Sequence, residues 1–357
     1  MKTAIIGLPQ VGKTSLFKIL TGVASETRVG STKVQLGVAK VPDGRLEALA
    51  EVFEPRKVTP ATVEYADMPG MSREALREPS YIGSLRTVDA FAHVLRLFDD
   101  DTVMHVEGSL DPLRDWANID LELVLNDLQV VENRLSRLAK DLKRGKDPAL
   151  LAELELLQQC QAWLEQELPL REMELGPEQA KLLKGFQFLS EKPMLAVLNV
   201  GEERTAEMRA LQAQYEAELT RGRKNLALST VCGSVESELV DLDADDRQEY
   251  LESYGLATSG IERLVAATYD LLGLMSFLTA GETECRAWTV RRGATAVSAA
   301  GTVHTDFAKR FIRAETIQWD ALVAHGGYAK AKESGELRLE GKDYVVQDGD
   351  VLVFRHG

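Results

Sequence analysis

The chain has 357 residues, enough for two or three domains, and its 45% apolar and 27% charged residues are those of a globular soluble protein. A net charge of −14 argues against general affinity for DNA or other nucleic acid, while leaving room for one basic face. Its three scattered cysteines, without a CxxC pair, exclude a disulfide framework and a zinc ribbon and fit a reducing compartment.

The apolar start, Met1 to Leu8, is too short for a signal segment, and no stretch approaches the ~20 apolar residues of a membrane span. The expectation is a cytoplasmic protein with no membrane partner. Residues 3–6 read as a short buried strand, followed by a glycine-rich turn and a helix from Ser15 to Leu20. Further strands are expected at 62–66, 90–97, 194–198 and 226–231. Strands alternating with helices imply right-handed crossovers and an α/β fold with a mostly parallel sheet. From Asp120 to about Leu168 the texture changes to Leu, Glu, Lys and Gln. Leu121, Leu125, Leu128, Val131, Leu135, Leu138 and Leu142 recur at helical spacing, and the run breaks at 144–148 before resuming at Leu150. This predicts an antiparallel helical hairpin inserted into the α/β domain. From about Ser276 the chain reads as β-rich, with strands at 286–290 and 343–346 and a turn at Asp348-Gly349-Asp350.

Residues 7–14, Gly-Leu-Pro-Gln-Val-Gly-Lys-Thr, fit the pattern G-x-x-x-x-G-K-[ST]. Its glycines allow successive N–H groups of Gln10, Val11, Gly12, Lys13, Thr14 and Ser15 to turn inward on a phosphate. Lys13 is placed to reach the β- and γ-phosphates, Thr14 to ligate Mg²⁺, and the following helix to aim its positive end at the anion. Asp67 opens D-x-x-G at the end of a strand; its carboxylate can hold Mg²⁺ through water, and the Gly70 N–H can meet the γ-phosphate. Met71 follows, where many GTPases keep a water-positioning Gln, and a thioether cannot do that work. After the fourth strand comes Asn199-Val200-Gly201-Glu202 in place of N-K-x-D. The extra methylene of Glu202 displaces its carboxylate by more than about 1 Å, one C–C bond, which argues against bidentate pairing with guanine. Ser234, after the fifth strand, reads equally as a base contact and as an ordinary loop residue.

These residues, with the runs at 99–106, 111–115, 272–282, 299–307, 311–315 and 341–350, closely resemble the YchF-type ATPases, a branch of the Obg-like P-loop GTPases. The likeness spans nearly the whole chain. It implies a Ras-like P-loop NTPase domain at 1–117 and 186–275, an inserted helical domain at 118–185, and a C-terminal TGS domain of β-grasp type at 276–357. It further implies base recognition through Asn199, Val200 and Glu202, ATP accepted as well as or better than GTP, help with hydrolysis from His105, and association with the ribosome. Two segments depart from the family pattern. Residues 71–83 lack the glycines of the usual switch, and the first switch, at 30–37, is one residue short, with Thr32 as the expected second Mg²⁺ ligand. The readings that follow are a slow Mg²⁺-dependent ATPase acting as a switch, a GTPase of the Obg type, or a nucleotide-regulated ribosome or RNA-binding factor with negligible hydrolysis. For the last, Arg286, Arg291, Arg292, Lys309, Arg310 and Arg313 offer a basic face for rRNA.

Overall fold

The protein is described here by a computed structural model covering residues 1–23, 34–72, 74–100, 102–143, 147–240 and 242–357. Among them the strands are β1 (Lys2–Ile6), β2 (Gln35–Lys40), β3 (Val58–Thr59), β4 (Thr62–Asp67), β5 (Ala90–Leu97), β6 (Met194–Val200), β7 (Leu226–Val231), β8 (Leu274–Thr279), β9 (Cys285–Arg291), β10 (Phe311–Gln318), β11 (Arg338–Glu340) and β12 (Asp350–His356). The first helices are α1 (Lys13–Thr21), α2 (Gly44–Phe53), α3 (Pro79–Arg86), α4 (Pro112–Asp141) and α5 (Pro148–Leu164). Packing divides the chain into two compact units, one of residues 1–37 and 64–271, the other of 38–63 and 272–357.

The first unit is built on a sheet of order β2-β4-β1-β5-β6-β7. β1 runs parallel to β4 and β5, and β5, β6 and β7 follow in parallel register, with Ile5 beside Asp67, Ile6 beside His93 and Asn199 beside Val231. Every residue of β5 and β6 is buried, as a parallel sheet covered on both faces requires. Because these strands share one direction, the loops after β1, β4, β5, β6 and β7 all leave the same edge. That edge is where α/β sheets bind ligands.

Two helices form the expected hairpin, and α4 starts earlier than its leucine spacing indicates. Asp111 caps it by accepting from the Arg114 N–H at 3.0 Å, and Pro112 occupies the first turn, where a missing N–H costs nothing. Its first turns bury Trp116, Ile119 and Leu123; from Val124 onward, Val124, Val131 and Leu138 join Leu157, Cys160 and Leu164 of α5. Serving two neighbours rotates the buried stripe, so Leu125, placed on that stripe by spacing, is 46% exposed. The Arg134 guanidinium grips Glu153 of α5 with two bonds of 2.7 Å.

The second unit carries a sheet of order β11-β10-β12-β8-β9-β3, its core formed by Phe277, Val290, Ala314 and Leu352 beneath Ala296, Ala299 and Ala300 of the helix Ala296–Val303. β9 takes up the strand expected at 286–290. The strand expected at 343–346 does not form, and only an isolated bridge joins Val345 to Thr295. The Asp350 carboxylate accepts from the Tyr344 hydroxyl and the Gln347 N–H, both at 2.8 Å, and folds the segment into the turn before β12. Among the described residues no helix is long and apolar enough to cross a membrane.

Candidate functional site

Residues 7–12 wrap the end of β1 into a loop that requires unusual backbone. Gly7 has φ +143°, and a Cβ there would lie 2.6 Å from the Val94 carbonyl oxygen. Gln10 adopts φ +65° without being glycine, a cost of order 1 kcal/mol that clusters at ligand sites. Gly12 has φ +96° and caps α1, so the first N–H groups of that helix face the cleft. Gln10 and Ser15 are exposed, whereas Val11 is buried.

Lys13 is buried and donates from Nζ to the Leu8 carbonyl at 2.5 Å. Burial lowers its pKa to about 8, against the opposing pull of Asp67. Thr14 donates from Oγ1 to Asp67 Oδ2 at 2.9 Å. Burial also pushes the Asp67 carboxyl up, opposed by Thr14 and Lys13, and Asp67 Oδ1 is buried with no hydrogen-bond partner. The D-x-x-G turn lies against the P-loop. The Met71 N–H donates to the Gly7 carbonyl at 2.9 Å, and a Cβ on Gly70 would come 3.1 Å from the Pro9 ring. Met71 itself is buried. Thr32 lies outside the described residues.

Asn199 ties three loops together. Its Nδ2 donates to the Val11 carbonyl and its Oδ1 accepts from the Gly233 N–H, each at 3.1 Å. The clamp is close enough that a Cβ on Gly12 would lie 2.4 Å from Asn199 Nδ2, which explains the glycine. Val200 turns its side chain into an apolar cluster with Leu97, Met208, Leu211, Cys232 and Val235. Glu202 is exposed at the start of a 3₁₀ turn, and its Oε1 accepts from the Tyr254 hydroxyl at 2.7 Å. Ser234 is exposed, 3.2 Å from the Cys232 sulfur.

His105 sits in the loop after β5, and the structure turns it toward α4. Its Nδ1 accepts from the Glu107 N–H at 3.1 Å, so the proton of the neutral ring is on Nε2. Nε2 lies 3.0 Å from Asp115 Oδ2, off the line of a hydrogen bond, in a contact where both side chains are nearly buried. Asp115 Oδ1 is taken by Arg114, at 2.8 and 3.1 Å. Beside this loop is a cavity of about 390 Å³ whose walls include Pro9, Met71, Val106 and Ile119.

The sequence therefore names residues that the structure brings to one sheet edge. Three contacts escape it: the Leu8 carbonyl under Lys13, Asp115 beside His105, and Tyr254 on Glu202. Asp115 is in one of the runs that carry the family resemblance, which is a signal, though not of its partner. Tyr254 is 52 positions from Glu202 and carries no signal at all.

Residues 2–127 match a family described as 50S ribosome-binding GTPase, and residues 274–357 match the C-terminal family of YchF GTPases, described as a protein of unknown function. Ribosome-binding ATPase YchF of Bacillus subtilis (strain 168) is 40% identical over 362 residues, covering 99% of each chain. The protein of the same name from Pasteurella multocida (strain Pm70) is 38% identical over 361 residues, covering 99% of this chain and 98% of its own. The solved YchF GTPase of Schizosaccharomyces pombe aligns with a TM-score of 0.86 at 26% identity, over 99% of this chain and 97% of the other.

Proposed function

Because the chain belongs to the YchF family of P-loop nucleotide hydrolases, we propose that it is a slow Mg²⁺-dependent ATPase, working as a nucleotide-driven switch on the ribosome in the cytoplasm. The observation that carries this reading is the pairing of Thr14 with Asp67 beside Lys13, with Asp67 Oδ1 buried and unpartnered. That set of oxygens fits Mg²⁺, which takes one or two protein oxygens and completes its shell from phosphates and water. Thr14 would hold the ion directly and Asp67 through water, and the ion supplies neutralisation of phosphate charge.

The protein's own groups account for the rest. Lys13 exchanges its bond to the Leu8 carbonyl for the β- and γ-phosphates, and the triphosphate restores the charge that burial disfavours. Gly70 presents its N–H to the γ-phosphate. Met71 supplies no polar atom for the attacking water, so orientation of that water falls to backbone groups and His105. His105 first has to leave Asp115, because in the resting arrangement Nδ1 accepts from the Glu107 N–H and Nε2 sits against the Asp115 carboxylate. Slow turnover follows from both points. Glu202 and Asn199 face the base side of the cleft, with Gln10, Val11, Gly12 and Ser15 around the phosphates and Ser234 beside the base. Val200 contributes by packing and through its backbone. In the second unit Arg291, Arg292, Lys309, Arg310 and Arg313 are all exposed, which supports the reading of a basic face toward rRNA.

Titration of the protein with fluorescent ATP and GTP analogues in Mg²⁺, with Lys13→Ala as the blank, tests the reading. ATP should bind more tightly than GTP, and Lys13→Ala should bind neither. A preference for GTP makes the chain a GTPase of the Obg type instead. Binding without measurable single-turnover hydrolysis leaves a nucleotide-regulated ribosome-docking factor.

A further inference from the structure

We propose that Tyr254 sets the choice between adenine and guanine by holding one of the two carboxylate oxygens of Glu202. The proposal rests on the reading of Glu202 as the base contact. Tyr254 follows the helix Ala244–Ser253, far in sequence from the loop it touches, and its hydroxyl donates to Glu202 Oε1 at 2.7 Å. Its ring is fixed from two sides. It packs on the apolar cluster that holds Val200 and Cys232, the residues anchoring the loops after β6 and β7, and it lies 5.2 Å from the Tyr250 ring. Tyr250 is itself anchored by donating to Glu238. A single packed layer thus joins the base loop, the start of the helix Gly233–Leu239 that carries Ser234, and the hydroxyl that engages Glu202.

The consequence follows from the donors on each base. Guanine presents two adjacent donors, N1–H and the 2-amino group, and a carboxylate meets both best with one uncommitted oxygen for each. Adenine presents one donor on that edge, the 6-amino group, beside an N1 lone pair that repels a second carboxylate oxygen. With Oε1 engaged by Tyr254, Glu202 keeps Oε2 as its free acceptor, which matches adenine and leaves one guanine donor without a partner. An unpaired donor at a binding site costs more than a missing attraction, so the engaged oxygen selects against guanine. Thus the longer side chain of Glu202 shifts the carboxylate, and Tyr254 fixes how many acceptors it offers.

The test compares dissociation constants of ATP, GTP and inosine triphosphate, with Mg²⁺, for the full chain, Tyr254→Phe and Glu202→Ala. Inosine keeps the N1–H of guanine and lacks its 2-amino group. The unaltered protein should prefer ATP to GTP and bind inosine triphosphate more tightly than GTP, because the 2-amino group of guanine is the donor left unpaired. In Tyr254→Phe the freed oxygen should accept the 2-amino group. GTP should then gain about three- to tenfold on ATP and by a similar factor on inosine triphosphate, the worth of one net hydrogen bond. A loss of affinity equal for all three nucleotides, or a GTP to inosine triphosphate ratio that does not move, overturns the role of Tyr254. If Glu202→Ala changes the ATP to GTP ratio while Tyr254→Phe does not, Glu202 reads the base alone and the proposal fails. An ATP to GTP ratio unchanged in Glu202→Ala removes Glu202 from the base site, and the reading beneath the proposal fails with it. An unchanged thermal midpoint for Tyr254→Phe shows that the ring still packs.

Discussion

His93 lies in β5 directly behind the P-loop, fully buried, with neither ring nitrogen hydrogen-bonded and its ring stacked on Trp116 at 5.3 Å. Burial, then the charges of Lys13 and Arg171, lowers its pKa to about 3. The folded state therefore keeps the ring neutral while the unfolded chain, near 6.5, takes up a proton. The stability contributed by the neutral ring is complete above pH 6.5 and is lost as pH falls from there toward 3. Asp127 acts with the opposite sign: burial raises its pKa to about 6, so it favours the folded state as pH falls from 6 to 3.8. Comparing the wild type with His93→Leu cancels Asp127. The wild type should lose up to about 1.4 kcal/mol per pH unit relative to the variant between pH 6.5 and 4.5, read from urea midpoints. Parallel pH curves would show that His93 is not held neutral. At this scale the sequence exposes contiguous chemistry well: the eight residues of the P-loop carry their meaning in their own spacing. It hides convergence. Asn199 bonds the Val11 carbonyl 188 positions away and the Gly233 N–H 34 positions away, and neither distance is written in any local pattern.

Among the elements, α4 connects the nucleotide edge to the helical hairpin. Asp115 in its first turn faces His105, Asp120 meets the buried Arg171 at 2.6 Å, and Asp127 accepts from the N–H groups of Leu189 and Ser190 at 2.9 and 2.6 Å. Three carboxylates along one helix thus fix separate segments. If release from Asp115 limits the use of His105, Asp115→Asn should speed single-turnover ATP hydrolysis about three- to tenfold at unchanged ATP affinity, by weakening an attraction worth roughly 1 kcal/mol. The gain should vanish in a His105→Ala background. Slower hydrolysis in Asp115→Asn would instead make the carboxylate a positioning group for the ring, and no change would uncouple the pair from catalysis. The long parallel strands and both helices of the hairpin are legible because each repeats one period over many residues. The segment 343–346 is not. Its run of aromatic and β-branched residues, Tyr344, Val345 and Val346, imitates a strand, while the Asp350 carboxylate, four to six positions on, bends it into a turn. The rotation of the α4 stripe is hidden for a related reason, since spacing reveals a face and not which neighbour covers it.

On the scale of the whole chain, residues 38–63 lie between two segments of the first unit yet pack in the second. β3 pairs in parallel with β9, Val58 beside Cys285, and the Arg56 N–H donates to the Glu282 carbonyl at 3.0 Å. Arg45 of α2 meets Asp348 at 2.9 Å, and Leu46 and Leu49 are buried. Partners more than 220 positions apart leave no local trace, so the expected division at 275/276 follows texture along the chain, whereas packing groups the segments differently. The difference can be measured. A chain ending at Leu271 keeps 38–63 and removes every one of these partners, baring Leu46 and Leu49. Burial of each is worth about 1.5–3 kcal/mol, and with the lost pairing of β3 the deficit reaches several kcal/mol, a large part of the stability of an ordinary domain. The shortened chain should bind the dye ANS, associate in sedimentation velocity, and be cut by protease within 38–63. Joining residue 37 to residue 64 by a short glycine linker in the same shortened chain should reverse the dye binding and the association, because the segment that needs the missing partners has gone. A shortened chain that stays monomeric and protease-resistant across 38–63 would mean that this segment folds without its C-terminal partners, and the grouping by packing would then have no energetic weight.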